Sequence, residues 1–103
     1  MKTTLFTLAV VAVALSSSSA FANQELAQKK NCLACHSLDK KIVGPAYKDV
    51  AAKYKGQAGA EAKLAAKIMA GGSGVWGPVP MPANTQVNAA EAAQLAKWVL
   101  TIK

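Results

Sequence analysis

An all-α fold of about four short helices is predicted from three observations. No segment sustains the alternation of apolar and polar residues that a half-buried strand needs. Apolar residues recur instead at helical spacing in several stretches. Glycines, prolines or a capping signal fall at the ends of those stretches.

The first helix is predicted over residues 24–30, with Leu26 and Ala27 as its main apolar contributors, and is expected to run on into Cys32. Pro45 marks the start of the second, since its fixed φ suits a first helical turn where its missing N–H is no loss. Tyr47, Val50, Ala51 and Tyr54 follow at the spacing of one helical face, and Gly56 and Gly59 then punctuate. Residues 60–70 are alanine-rich and place Leu64 and Ile68 on one face, with Gly71-Gly72 as the stop. The stretch GGSGVWGPVPMP, residues 71–82, cannot be helical. It is predicted as a long loop, which in a compact domain is more often functional than idle. Asn88 with Glu91 three residues later is a capping signal for the last helix, whose apolar stripe is Leu95, Trp98, Val99 and Ile102.

Met1 and Lys2 precede an apolar run over residues 5–15, and a serine cluster leads to Ala20-Phe21-Ala22. A basic start, a short apolar centre and a small-x-small site make a secretory signal segment, with cleavage expected after Ala22 and Ala20 as the alternative. The competing reading, a membrane anchor, fails on length, because a spanning helix needs roughly 20 apolar residues. Cleavage leaves 81 of the 103 residues, 23–103, as one small domain. A chain of that size buries only about 60–65% of its unfolded surface and ordinarily needs a staple such as a disulfide, a metal or a bound group.

The formal charge is +7, and loss of residues 1–22 removes Lys2 and no acid, leaving +6. Such a surface suits acidic proteins, anionic membranes or nucleic acid. Export and the lack of aromatic residues interleaved with the lysines argue against nucleic acid. For any single lysine the competing reading is a solvated face that keeps a small protein soluble.

Both cysteines of the chain, Cys32 and Cys35, and its one histidine, His36, fall within the five residues CLACH. In helical geometry these stand at i, i+3 and i+4 and project from one face of a single turn. Two thiols at that separation can add to the two vinyl groups along one edge of a porphyrin while the imidazole reaches the iron, so the spacing fits covalent haem c attachment. A redox-active disulfide would need a strand-helix-strand context that the sequence lacks. A structural zinc site needs four ligands, and only three are present. A structural disulfide is compatible with an oxidising compartment but leaves His36 without a reason. An attached haem would also give the few short helices a large apolar body to pack around.

With no second histidine, the opposite axial position falls to methionine, lysine, water or nothing. Met69 lies inside a helical stretch, where methionine is most often core filler. Met81 lies between Pro80 and Pro82, which stiffen the backbone and display the thioether on an extended segment. Met81 is therefore the expected ligand. Methionine with histidine raises the reduction potential and fills both axial positions, which leaves one-electron transfer as the available chemistry.

CLACH, KKIVGPAYKDVAAKY, GGSGVWGPVPMPAN and the final AKWVL together resemble the small monohaem class I cytochromes c of bacteria, in particular the c-551/c-552 (c8) group. The resemblance spans essentially all of residues 23–103 and adds weight to Met81. It implies a class I cytochrome c fold around one covalent haem and the role of a non-enzymatic electron carrier in the periplasm. It also implies that the Pro45 carbonyl accepts from His36 Nδ1, fixing the imidazole tautomer, and that the Trp76 indole N–H meets a haem propionate. For Trp76 the competing reading is packing within the loop. Lys67 stands where relatives carry arginine or histidine near a propionate, and lacks arginine's planar fork. Asn84 is either a donor to the Met81 sulfur or a turn residue. Tyr47 and Tyr54 are expected to pack in the haem pocket.

The expected partners are periplasmic reductases, oxidases or a membrane cytochrome complex with acidic docking surfaces, met in brief encounters by a monomer without a stable membrane anchor. Lys29, Lys30, Lys40 and Lys41 flank the attachment segment and are expected to steer them. The competing class is a haem sensor or peroxidase-like protein with a labile sixth ligand, against which stands the lack of an arginine, a second histidine or a paired acid to serve as a distal constellation.

Overall fold

The computed structural model describes residues 19–103, with side chains from Asn23 onward. The predicted signal segment thus lies outside the described residues, apart from the helical backbone of residues 19–22. In chain order the elements are helix α1 (Ser19–Lys29), a 3₁₀ turn (Cys32–Ala34), α2 (Tyr47–Tyr54), α3 (Ala60–Ala70), strands β1 (Gly72–Gly74) and β2 (Gly77–Met81), and α4 (Ala89–Val99). Among the described residues four helices are thus present, as predicted.

Two expectations about the elements are corrected. The first helix does not run into the cysteines: it ends at Lys29, and Asn31 takes a left-handed conformation with φ 65° that breaks the helix before the 3₁₀ turn. Asparagine tolerates that conformation better than most residues, so the break is inexpensive at this position. The 71–82 stretch is not a structureless loop: β1 and β2 pair antiparallel, Gly72 opposite Met81 and Gly74 opposite Gly77, with a bulge between. Glycine and proline conceal this hairpin from a periodicity reading, since neither adds to an apolar alternation. Pro78 and Pro80 are tolerated because β2 belongs to a two-stranded sheet and has an unpaired edge.

Helix α4 is the centre of the packing and touches α1, α2 and α3. Its buried residues are Ala92, Leu95, Ala96, Trp98 and Val99, which follow the predicted stripe; Ile102, beyond the helix, is half-buried. Ala27 on α1 is fully buried, as are Ala92 and Ala96. Such small side chains let the first and last helices approach closely. Tyr47, Val50 and Tyr54 from α2 and Leu64 from α3 complete the core. Met69 does not fill it: at 39% exposure it lies outside the buried cluster, a helical step of about 100° from Ile68.

The N-terminus of α4 is closed by a reciprocal pair. Glu91 N donates to Asn88 Oδ1 at 2.8 Å, and Asn88 N donates to Glu91 Oε1 at 3.1 Å. Lys30 Nζ lies 3.2 Å from the other carboxylate oxygen, tying α1 to this cap. The Asn88 N–H first, and then Lys30, hold the Glu91 carboxyl below its ordinary 4.5. A carboxyl depressed by folding adds stability above its unfolded pKa and loses it as pH falls through the folded value. Thermal melts are therefore expected to drop as pH is lowered past about 4.5, and Glu91→Gln, which keeps an oxygen for Asn88 N–H but no charge, should flatten that drop. An unchanged acid slope in the variant would refute the assignment.

Candidate haem-attachment site

Cys32, Cys35 and His36 are gathered by one turn. Cys35 N and His36 N both donate to Cys32 O, at 3.2 and 3.0 Å, so the i, i+3 and i+4 relation survives although the turn is 3₁₀ rather than α-helical. Cys32 and Cys35 are not joined to each other by a disulfide. Before any attachment, burial pushes the Cys32 thiol above its ordinary 9.0, against an opposing bond from Tyr47.

The backbone around His36 is pinned on both sides. Gly44 N donates to Cys35 O at 2.8 Å and Tyr47 N donates to Ser37 O at 2.9 Å, folding residues 37–46 back beneath the turn. His36 Nδ1 lies 2.8 Å from Pro45 O. A carbonyl oxygen can only accept, so Nδ1 carries the proton and Nε2 presents its lone pair. One face of the ring stacks on Tyr47, with centroids 4.9 Å apart and 17° between planes, and Tyr47 in turn meets Trp98 of α4 edge-on at 5.5 Å. Burial first, and then Cys32, push the Tyr47 phenol well above its ordinary 10.0, so its O–H stays intact. Gly44 also lies against the ring: a Cβ there would stand 2.8 Å from Nδ1 and 3.0 Å from Nε2, and would collide with Cε1.

These groups open onto a cavity of about 670 Å³ whose mainly apolar lining includes Val50, Leu64, Ile68, Leu95 and Val99. That volume lies within the roughly 300–1,000 Å³ of cofactor-sized sites. Met81, on β2 and 45 residues beyond His36, lines the same cavity. Its segment is fixed against the end of α3. Gly71, at φ 70°, caps that helix, and a Cβ on it would stand 2.8 Å from Ala83 N and collide with Met81 O. A few residues on, Asn84 Nδ2 donates to Ile68 O at 2.7 Å.

Trp76 and Lys67 line the cavity as well. Trp76 is 43% exposed at the tip of the hairpin, so it is not packed within a loop core, and Lys53 Nζ lies 5.3 Å from its ring centroid. The Lys67 ammonium lies over the backbone of Gly72, 2.7 Å from where a Cβ would stand. Asn84 lines the cavity while its amide is held by Ile68 O and by Gln86. Of the four lysines singled out, Lys29, Lys40 and Lys41 are exposed, whereas Lys30 is engaged by Glu91 and Gln86. The contacts of Gly44, Gly71 and Gln86 were not foreseen. A glycine beside a proline or at a helix end reads as a turn residue, and nothing in the sequence announces which ring or carbonyl it must admit.

The donor set, the volume and the apolar lining fit an attached haem. Comparison with known proteins decides the family, for the cytochrome c profile matches residues 22–103. The chain belongs to the cytochrome c family. Within it, cytochrome c-552 of Nitrosomonas europaea is 48% identical over 103 residues, covering all of both chains. Cytochrome c-551 of Pseudomonas aeruginosa is 63% identical over 78 residues, 76% of this chain and 74% of that protein. The crystal structure of wild-type Nitrosomonas europaea cytochrome c552 superimposes with a TM-score of 0.76 at 54% identity, covering 78% of this chain and 99% of that one. The chain is a class I monohaem cytochrome c and a small electron carrier with one covalently bound haem c, and the Cys32 and Cys35 of CLACH are compatible with its attachment motif.

Gly44→Ala is expected to push the His36 ring off its stack on Tyr47 and to destabilise the fold by about 1–3 kcal/mol, the cost of overpacking a tight site. Ring NMR shifts of His36 with a denaturation curve would check it, and wild-type shifts with wild-type stability would count against the contact.

Proposed function

We propose that this cytochrome c is an exported one-electron carrier whose haem iron is held by His36 Nε2 and the Met81 thioether, working in the periplasm between respiratory complexes and terminal reductases or oxidases. The observation that carries the reading is that Met81, on a proline-flanked strand clamped to α3, lines the same apolar cavity as CLACH. The bound haem supplies an iron that takes up and returns one electron. His36 offers a lone pair whose direction is set by Pro45 O, and Met81 offers a neutral sulfur on a stiff backbone, so neither ligand needs to move between oxidation states. His36 and Met81 would together supply the chain's own donors to the iron, which would leave the protein to carry an electron rather than to bind a substrate.

Trp76 and Lys67 at the cavity are assigned to the haem propionates, the indole by its N–H and the lysine by its charge, with Lys53 adding a second charge beside the indole. One N–H of the Asn84 amide is committed to Ile68 O, and the other is assigned to the Met81 sulfur. Residues 1–22 serve as the cleaved export signal, leaving a monomeric domain of residues 23–103. Among the described residues no helix is long and apolar enough to cross a membrane. The exposed Lys29, Lys40 and Lys41 would steer acidic redox partners in short-lived encounters.

The ferric protein is expected to show the weak near-infrared band of methionine-to-iron ligation, and the reduced protein to bind carbon monoxide slowly. Met81→Ala should abolish the band and speed carbon monoxide binding; a spectrum unchanged by the substitution, or rapid binding by the wild type, overturns the ligation. Electron-transfer rates with an acidic partner should fall as ionic strength is raised through about 0.1 M, where the screening length is about 10 Å. A flat salt dependence would remove the steering role.

A further inference from the structure

We propose that Gln86 is a positioning residue that sets how readily the Met81 segment opens, by holding Asn84 and the end of α1 in one hydrogen-bonded strut. The proposal rests on the His36–Met81 ligation put forward above. Gln86 Nε2 donates to Lys30 O at 2.9 Å and to Asn84 Oδ1 at 3.1 Å, which uses both of its N–H groups. Lys30 Nζ donates back to Gln86 O at 3.0 Å and pairs with Glu91 at 3.2 Å. Asn84 Nδ2 then donates to Ile68 O at 2.7 Å. Glu91, Lys30, Gln86, Asn84 and Ile68 thus form one chain of contacts from the cap of α4, past the end of α1, to the last turn of α3.

This chain gives Asn84 a single orientation. Rotating its amide by half a turn would set Oδ1 against Ile68 O and Nδ2 against the Gln86 Nε2 amide group, turning two attractive contacts into two repulsive ones. Asn84 stands three residues beyond Met81, and Met81 O and the Ala83 N–H lie against Gly71. Residues 81–84 therefore cannot leave the end of α3 unless the Asn84–Ile68 bond breaks, and Gln86 holds Asn84 to that bond. The other end of the strut is Lys30, two residues before Cys32. The strut thus joins the segment that carries the thiols and His36 to the segment that carries Met81 on the protein side, apart from any bond through iron.

Gln86 is exposed, and solvent-facing hydrogen bonds add little to global stability. Local opening is another matter, because a short segment opens against only the few bonds that hold it. Loss of the Gln86 side chain should leave the melting temperature near that of the wild type and make segment opening roughly tenfold faster, the scale of one or two modest hydrogen bonds.

The test uses the haem-loaded ferric protein and imidazole as an external ligand, followed by stopped flow together with the near-infrared band. Imidazole can reach the iron only after Met81 leaves, so its saturating rate reports segment opening. Gln86→Ala and Gln86→Glu, the second of similar size but unable to donate, should bind imidazole about tenfold faster than the wild type. Thr85→Ala, at the exposed neighbouring position, should match the wild type. Rates within twofold of the wild type for both Gln86 variants, with the band present, would overturn the proposal and leave the ligation standing. A wild type without the band that takes up imidazole at once would overturn the ligation itself, and the role of Gln86 with it.

Discussion

The placement of the His36 imidazole is the constraint on which the rest of the structure depends. A free histidine side chain samples several rotamers, yet here the ring is held at one nitrogen, on one face and along one edge. Nδ1 is bound to Pro45 O, one face stacks on Tyr47, and Gly44 admits the ring where any Cβ would meet it. The backbone on either side is tied by Cys35 O and Ser37 O to the same returning segment. A proline supplies the acceptor because it fixes its own backbone geometry. The short stretch Gly44 to Tyr47 therefore sets tautomer, tilt and position together, and Tyr47 passes that rigidity through Trp98 into α4.

The segment carrying Met81 is held by different means. It is an edge strand pressed against the cap of α3, where Gly71 brings two backbones nearly into contact and Asn84 bonds back to Ile68 O. One wall of the cavity is thus organised by ring packing and the other by backbone approach. Side-chain packing tolerates small adjustments, whereas backbone contacts across a glycine do not, so substitutions at Gly71 and at Gly44 should fail in different ways. At Gly71 the positive φ adds strain to the collision, and at Gly44 only the collision operates.

The helices were legible in the sequence where caps and stripes agree, and the site was legible where chemistry is concentrated. The helix predicted over residues 60–70 matches α3, and the Asn88–Glu91 signal forms the cap of α4. What escaped were features carried by backbone conformation. The break at Asn31 turns on one left-handed residue, and the hairpin is written in glycine and proline, which carry no apolar alternation. Met69 and Lys30 show a further limit. Residue type placed the first in the core and chain proximity to CLACH placed the second on the docking surface, while tertiary position turned Met69 outward and bound Lys30 to Glu91 and Gln86. Long-range polar contacts such as Lys30 with Gln86, 56 residues apart, leave no periodic trace.

The separation of the two cavity walls along the chain explains why such contacts are needed. Bringing Met81 to the cavity that His36 also lines closes a loop of 45 residues, and contacts between the two segments must offset the entropy of that closure. If a single bond to a metal held that loop shut, each change in metal charge would alter the stability of the whole segment. Here α4 packs on α1, Asn84 returns to α3, and Lys30 and Gln86 grip each other across the gap. Much of the closure is therefore met by contacts made within the protein itself. A carrier that must present the same geometry when oxidised and when reduced gains most from that arrangement, since the electron then enters a site already held in place.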